Sequence, residues 1–187
     1  MPYPSQVNKE DLLNAAWALA DAEGQQALTL ATLAKQFGVK SPSLYRYIPN
    51  KAALVREVNA QTETLLYRAL FMARNEDDSP TEQLIAMSDA YWRFAIAHPR
   101  TYAMAFTTTD PAQRPDTAGQ TQAILPVQAI VAQLTGEANS LAALRGVLAL
   151  MHGYVMLVTH EQLRRGGDLE ADYRQAVKAY LKGWSAS

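Results

Sequence analysis

Five side chains between residues 35 and 56 are basic (Lys35, Lys40, Arg46, Lys51 and Arg56) and none is acidic. The other 12 basic and all 18 acidic residues lie elsewhere, so a local charge of +5 stands against −6 for the remainder. Such a patch attracts anions, and a phosphodiester backbone needs only a local patch, not a basic protein. Hydroxyl and ring side chains are interleaved with it: Thr29, Ser41, Ser43, Tyr45 and Tyr47. Arginine can grip a guanine edge with two parallel N–H bonds, and serine is a permissive partner for several bases. Tyr45, Tyr47 and Lys51 suit phosphate oxygens, which position a protein without specifying sequence.

These side chains act together only if short elements hold them on one surface. The spacing predicts a helix over Lys9–Glu23, capped by Asn8 and ended by Gly24. A second runs over Leu30–Phe37, with Thr29 as its cap and Gly38 free to take the left-handed conformation that closes it. A third runs over Pro42–Ile48, capped by Ser41, with Pro42 where a missing N–H costs nothing. Two short helices joined by a glycine turn form a helix-turn-helix. Ala34 is small where they cross, and Leu33, Val39 and Leu44 lock the pair onto the first helix. In such a unit the second helix enters the major groove of DNA. Lys40, Ser41, Ser43 and Arg46 then face base edges, with Pro42 among them. Thr29 offers a hydroxyl and free backbone N–H groups to a phosphate. A fourth helix follows Asn50 and continues to about Arg74.

The run from Leu33 to Val39, followed by Leu44-Tyr45-Arg46-Tyr47-Ile48-Pro49-Asn50-Lys51 and Leu54, resembles the TetR family of bacterial transcriptional regulators. The resemblance rests on Thr29, Leu33, Ala34, Gly38, Val39, Ser43, Leu44, Tyr45, Tyr47, Asn50, Lys51 and Leu54, in the first third of the chain. It implies a homodimer on a palindromic double-stranded DNA operator, released when a small-molecule effector fills the C-terminal body. Tyr91-Trp92-Arg93-Phe94-Ala95, His98-Pro99-Arg100-Thr101-Tyr102 and Leu150-Met151-His152-Gly153 are similar to a C-terminal subtype named for its Trp and His-Gly residues. That subtype usually carries a tryptophan four residues before the histidine, where this chain has Leu148.

The body reads as further helices near Thr81–Ala97, Arg100–Phe106, Gln122–Thr135, Ala138–Arg165 and Leu169–Trp184, with a loop over Thr107–Gln120. The expected fold is therefore all-α: an N-terminal three-helix headpiece and a C-terminal helical bundle. The expected divisions are 1–54 for DNA binding, 55–78 for a connecting helix and loop, and 79–187 for effector binding and dimerisation. The stretch Leu141–Leu163 is apolar on more than one face, and Leu169, Tyr173, Ala176, Val177, Tyr180, Leu181 and Trp184 offer a second seam. Two such helices per subunit would build a four-helix dimer interface. Tyr91, Phe94, His98, Tyr102, Phe106, Met151, His152 and Met156 are candidates for an effector pocket, which suits an apolar or aromatic compound. Each of them can equally be core.

Composition removes several classes. With 49% hydrophobic and 19% charged residues in 187, the chain is an ordered globular one. Without cysteine it has no disulfide, thiol nucleophile or thiolate metal site. No Gly-rich phosphate loop, Gly-x-Ser-x-Gly elbow or His-Glu-x-x-His pair is present, so no catalytic residue, metal or cofactor is expected. Lys9, Glu10 and Asp11 interrupt any secretory signal, and the apolar run Val147–Val158, broken by His152 and Gly153, falls short of the ~18 residues of a membrane span. A cytoplasmic protein with no membrane partner is the expectation. The alternative reading is a helical small-molecule-binding or catalytic protein in which the helix-turn-helix is only structural; exclusion of acidic residues from the basic segment argues against it.

Overall fold

The computed structural model describes residues 7–185. Among them are eight α-helices and no strand: α1 Lys9–Glu23, α2 Leu30–Gln36, α3 Lys51–Ala73, α4 Pro80–Ala97, α5 Pro99–Thr107, α6 Thr117–Thr135, α7 Glu137–Thr159 and α8 Leu169–Ser185. Two short 3-10 turns occupy Ser41–Ser43 and Pro111–Gln113. The all-α expectation holds. The chain forms two compact units, one reaching Thr64 and including His98–Asp116, the other built from Leu65–Ala97 and the residues from Thr117 onward.

The first unit is built around α1, α2 and the first part of α3. Asn8 caps α1 by accepting from the Asp11 N–H at 2.7 Å, and Thr29 caps α2 by accepting from Thr32 N–H at 3.0 Å. Asn50 does the same for α3, accepting from Ala53 N–H at 2.8 Å. Each satisfies a backbone donor that the first helical turn leaves unpaired. Gly38 lies at φ +66° with open space where a Cβ would stand, so its requirement is the left-handed backbone itself. Leu12, Ala16, Ala20, Leu33, Leu44, Leu54 and Val58 are buried together as the core.

The segment after Ser41 departs from expectation. Instead of a helix over Pro42–Ile48, it is a 3-10 turn followed by further turns to Tyr47. Leu44 N–H reaches Ser41 O at 3.0 Å and Tyr47 N–H reaches Leu44 O at 2.9 Å, both bonds between residues three apart as in a 3-10 helix. The Ser43 N–H and hydroxyl both donate to the Lys40 carbonyl, at 2.9 and 2.7 Å, and hold the backbone in the tighter winding. Ser41 is therefore the first residue of the turn and Lys40 precedes it as the cap, with no side-chain capping bond.

The boundaries expected at 54 and 78 do not follow the units. α5 packs on α1, and His98–Asp116 belongs with the helix-turn-helix. Polar ties hold it there. Asp21 on α1 accepts from the Thr101 hydroxyl at 3.0 Å and pairs with His98 Nδ1 at 2.8 Å. Asn59 on α3 donates to the Gln113 carbonyl at 2.9 Å.

The second unit packs α4, α6, α7 and α8 against one another. Trp92 of α4, Tyr154 of α7 and Tyr173 of α8 form an aromatic cluster, with Trp92 and Tyr173 ring centroids 4.9 Å apart. The Tyr173 hydroxyl is buried and donates to Ser88 O at 2.9 Å. Gly146 is required by close approach: a Cβ there would stand 2.0 Å from the Tyr180 hydroxyl, which donates to Ala143 O at 3.0 Å. α4 starts at a reciprocal cap in which Ser79 N–H donates to Glu82 Oε2 at 3.1 Å and Glu82 N–H donates to the Ser79 hydroxyl at 3.3 Å.

Helix limits differ from expectation in two places here. α6 begins at Thr117, inside the expected loop, because Gly119 weakens a helix without stopping it. α7 ends at Thr159 rather than Arg165, since Glu161 takes a left-handed φ of 54°. Glu161 N–H then donates to Val158 O at 3.0 Å and Gln162 N–H to Leu157 O at 2.8 Å, which satisfies the last carbonyls. α7 also exceeds the expected apolar length. Residues before Val147 extend it, and an 18-residue window reaches mean hydropathy 1.7, enough by length and composition to cross a membrane. Only 28% of that window is buried within the chain, though α7 packs against α4, α6 and α8.

Candidate nucleic-acid interface

The basic residues of the segment 35–56 all reach solvent: Lys35, Lys40, Arg46, Lys51 and Arg56 are exposed. Leu33, Ala34, Leu44 and Ile48 anchor the backbone between them in the core. The result is a rigid base with polar side chains on its outer side. Pro42, Ser43 and Tyr45 are exposed, Tyr45 to 53%, while Ser41, Tyr47 and Thr29 are half-buried.

Thr29, Ser43, Arg46, Tyr47 and Arg56 have internal partners, that of the Ser43 hydroxyl being the Lys40 carbonyl. The Thr29 hydroxyl caps α2 and lies 2.8 Å from the Thr32 hydroxyl. The Tyr47 hydroxyl donates to Val7 O at 2.5 Å and accepts from Arg46 Nη2 at 2.7 Å. The Arg46 guanidinium also sits 4.6 Å from the Tyr47 ring centroid, a cation–π contact. Arg56 Nη1 approaches Ala112 O at 3.5 Å.

The expected pocket residues divide between the units. His98, Tyr102 and Phe106 belong to the first and Tyr91, Phe94, Met151, His152 and Met156 to the second. Tyr102 is buried, and its ring centroid lies 4.9 Å from that of Phe106. His98 meets Trp17 edge-on at 5.0 Å, and Trp17 Nε1 donates to Thr62 Oγ1 at 3.0 Å. In the second unit Tyr91 and Met151 are buried, whereas Phe94, His152 and Met156 are half-buried. Burial lowers the His152 pKa from its ordinary 6.5, which favours the neutral ring. Among the described residues no group of three or more His, Cys, Asp or Glu could hold a metal ion.

Reading the sequence missed Val7 and Asp21. Neither carries a local signal: Val7 acts through its carbonyl, 40 positions from Tyr47, and Asp21 stands 77 positions from His98.

A helix-turn-helix on a buried core, carrying an exposed basic surface, defines a DNA-binding regulator. Residues 12–58 match the family described as bacterial regulatory proteins, tetR family, and residues 84–180 match the tetracyclin repressor-like C-terminal domain. The chain belongs to the TetR family of transcriptional regulators, and it is a regulator and not an enzyme. It is 27% identical over 182 residues to the uncharacterized HTH-type transcriptional regulator YobS of Bacillus subtilis, covering 95% of this chain and 92% of that one. It is 34% identical over 165 residues to the uncharacterized HTH-type transcriptional regulator Rv0681 of Mycobacterium tuberculosis, covering 82% of this chain and 71% of the other. The TetR regulator SCO7222 of Streptomyces coelicolor shares the fold, with a TM-score of 0.75, 19% identity, and coverage of 96% and 98%.

Proposed function

We propose that the chain is a repressor that binds a palindromic operator as a homodimer and is released by a small apolar or aromatic effector. The observation that carries the operator reading is the exposed basic segment, in which five cations and no acid surround the turn from Ser41 to Tyr47. Arg46 reads a base edge from this surface, with Ser41, Pro42, Ser43 and Lys40 around it. Tyr45, Lys51 and Thr29 hold phosphates. A dimer needs the two copies of this surface about one DNA turn apart, ~34 Å.

The dimer reading is supported by α7, which leaves Leu141 and Leu157 exposed to 43% and 38% on an otherwise apolar helix. Tyr91, Phe94, Met151, His152 and Met156 of the second unit supply the aromatic and sulfur surface for an effector. The Trp/His-Gly subtype belongs to the same proposal, supported by Trp92 packed 6.1 Å from Tyr154, the residue after Gly153. The effector acts only as far as it prefers the released conformation.

Titration of operator and unrelated DNA against salt tests the division of roles. Lys51→Ala should weaken both similarly and lower the salt slope by about 1 per subunit. An unchanged slope removes Lys51 from the phosphate contacts.

A further inference from the structure

We propose that Tyr47 is a positioning residue for Arg46, a strut that sets the plane of the base-reading guanidinium, and not a donor to phosphate. The inference rests on the reading of Arg46 given above and extends it to the residue behind it.

The directions of the two hydrogen bonds are fixed by chemistry. A guanidinium only donates and a carbonyl only accepts. Arg46 Nη2, 2.7 Å away, must therefore donate to the Tyr47 oxygen, and the single tyrosine proton must go to Val7 O at 2.5 Å. With that proton committed, the hydroxyl has none to offer a phosphate. The same ring carries the guanidinium 4.6 Å from its centroid, so one side chain holds Arg46 through its face and through its oxygen.

The strut is grounded in the core. Val7 is 8% exposed and directly precedes Asn8, the cap of α1, and the Tyr47 ring packs against the same buried cluster. Arg46 itself is exposed, and a guanidinium has five donors, so most remain available to an external acceptor. Two-point recognition of a base edge requires a fixed plane, and an arginine ordered before contact loses less freedom on binding. Arg46 stands immediately before Tyr47 in a turned backbone, which brings the two side chains together.

The test uses the full chain and an operator selected from random double-stranded DNA, with its single-base-pair substitutions. Tyr47→Phe keeps the ring and removes the relay. Discrimination at the base pair read by Arg46 should fall about 3- to 10-fold, the factor expected from releasing one long side chain, with the salt slope unchanged. In the Arg46→Ala background Tyr47→Phe should cause no further loss of discrimination. Thermal melts of each variant set a temperature at which all are folded. Uniform weakening of all sequences by Tyr47→Phe, with discrimination retained, would assign its hydroxyl to phosphate and overturn the proposal. Additive losses in the double variant would overturn it too, because Tyr47 would then act independently of Arg46. If Arg46→Ala relaxes discrimination while Tyr47→Phe does not, the positioning role alone fails. Uniform weakening of all sequences by Arg46→Ala, or no selectable operator, would overturn the base-reading role beneath it.

Discussion

Burial decides the protonation of His152. Loss of hydration lowers its pKa from 6.5, so the folded chain binds a proton there less readily than the unfolded chain does. The stability contributed by the neutral ring is present above the ordinary value and is lost as pH falls through the lowered folded value. His152→Gln should therefore lose less stability than the parent chain between about pH 7.5 and about pH 5.5 in denaturant titrations. Equal losses would remove His152 from the buried groups that govern acid sensitivity. Tyr173 follows the same rule with opposite sign: burial first, then Tyr91 and Asp89, raises its phenol well above the ordinary range, so it stays a donor to Ser88 O. At this scale the sequence was partly legible. Lys40, Arg46 and Lys51 stand on the surface as their charges require, and the caps Asn8 and Thr29 are where their short acceptor side chains pointed. The partners of Tyr47 and His98 were not legible, because contacts across 40 and 77 positions are made by tertiary packing and leave no local pattern.

At the scale of elements, periodic apolar spacing located α1 to its ends, because an asparagine cap and a glycine stop enclose it. It overestimated the recognition segment and α7. In both, the apolar spacing continues beyond the point where local hydrogen bonds turn the backbone: Ser43 back onto Lys40, and Gln162 onto Leu157. The reciprocal Ser79 and Glu82 cap starts α4 at Pro80, one residue before the expected Thr81. Glu161 identifies an unfavourable backbone choice, a non-glycine residue at φ 54°. Glu161→Gly should stabilise the chain by about 0.5–1 kcal/mol, read as a raised denaturation midpoint at constant slope. A lowered midpoint would mean that the Glu161 side chain contributes more than its backbone conformation costs.

At the scale of the whole molecule, the proposed homodimer would cover α7, of which an apolar 18-residue window is only 28% buried within its own chain, and a two-fold dimer would match two half-sites. Leu157→Glu places a charge on α7 at a residue 38% exposed in the single chain. It should raise the dimer dissociation constant about 10- to 100-fold in sedimentation equilibrium, with helix content retained. An unchanged dimer would exclude Leu157 from the interface. The most direct test of the account is selection of bound sequences from random double-stranded DNA, near physiological salt, with Arg46→Ala alongside. The expected result is an enriched palindrome for the parent chain, relaxed at one base pair in each half-site by the variant. Binding without enrichment, dependent on salt alone, would contradict it.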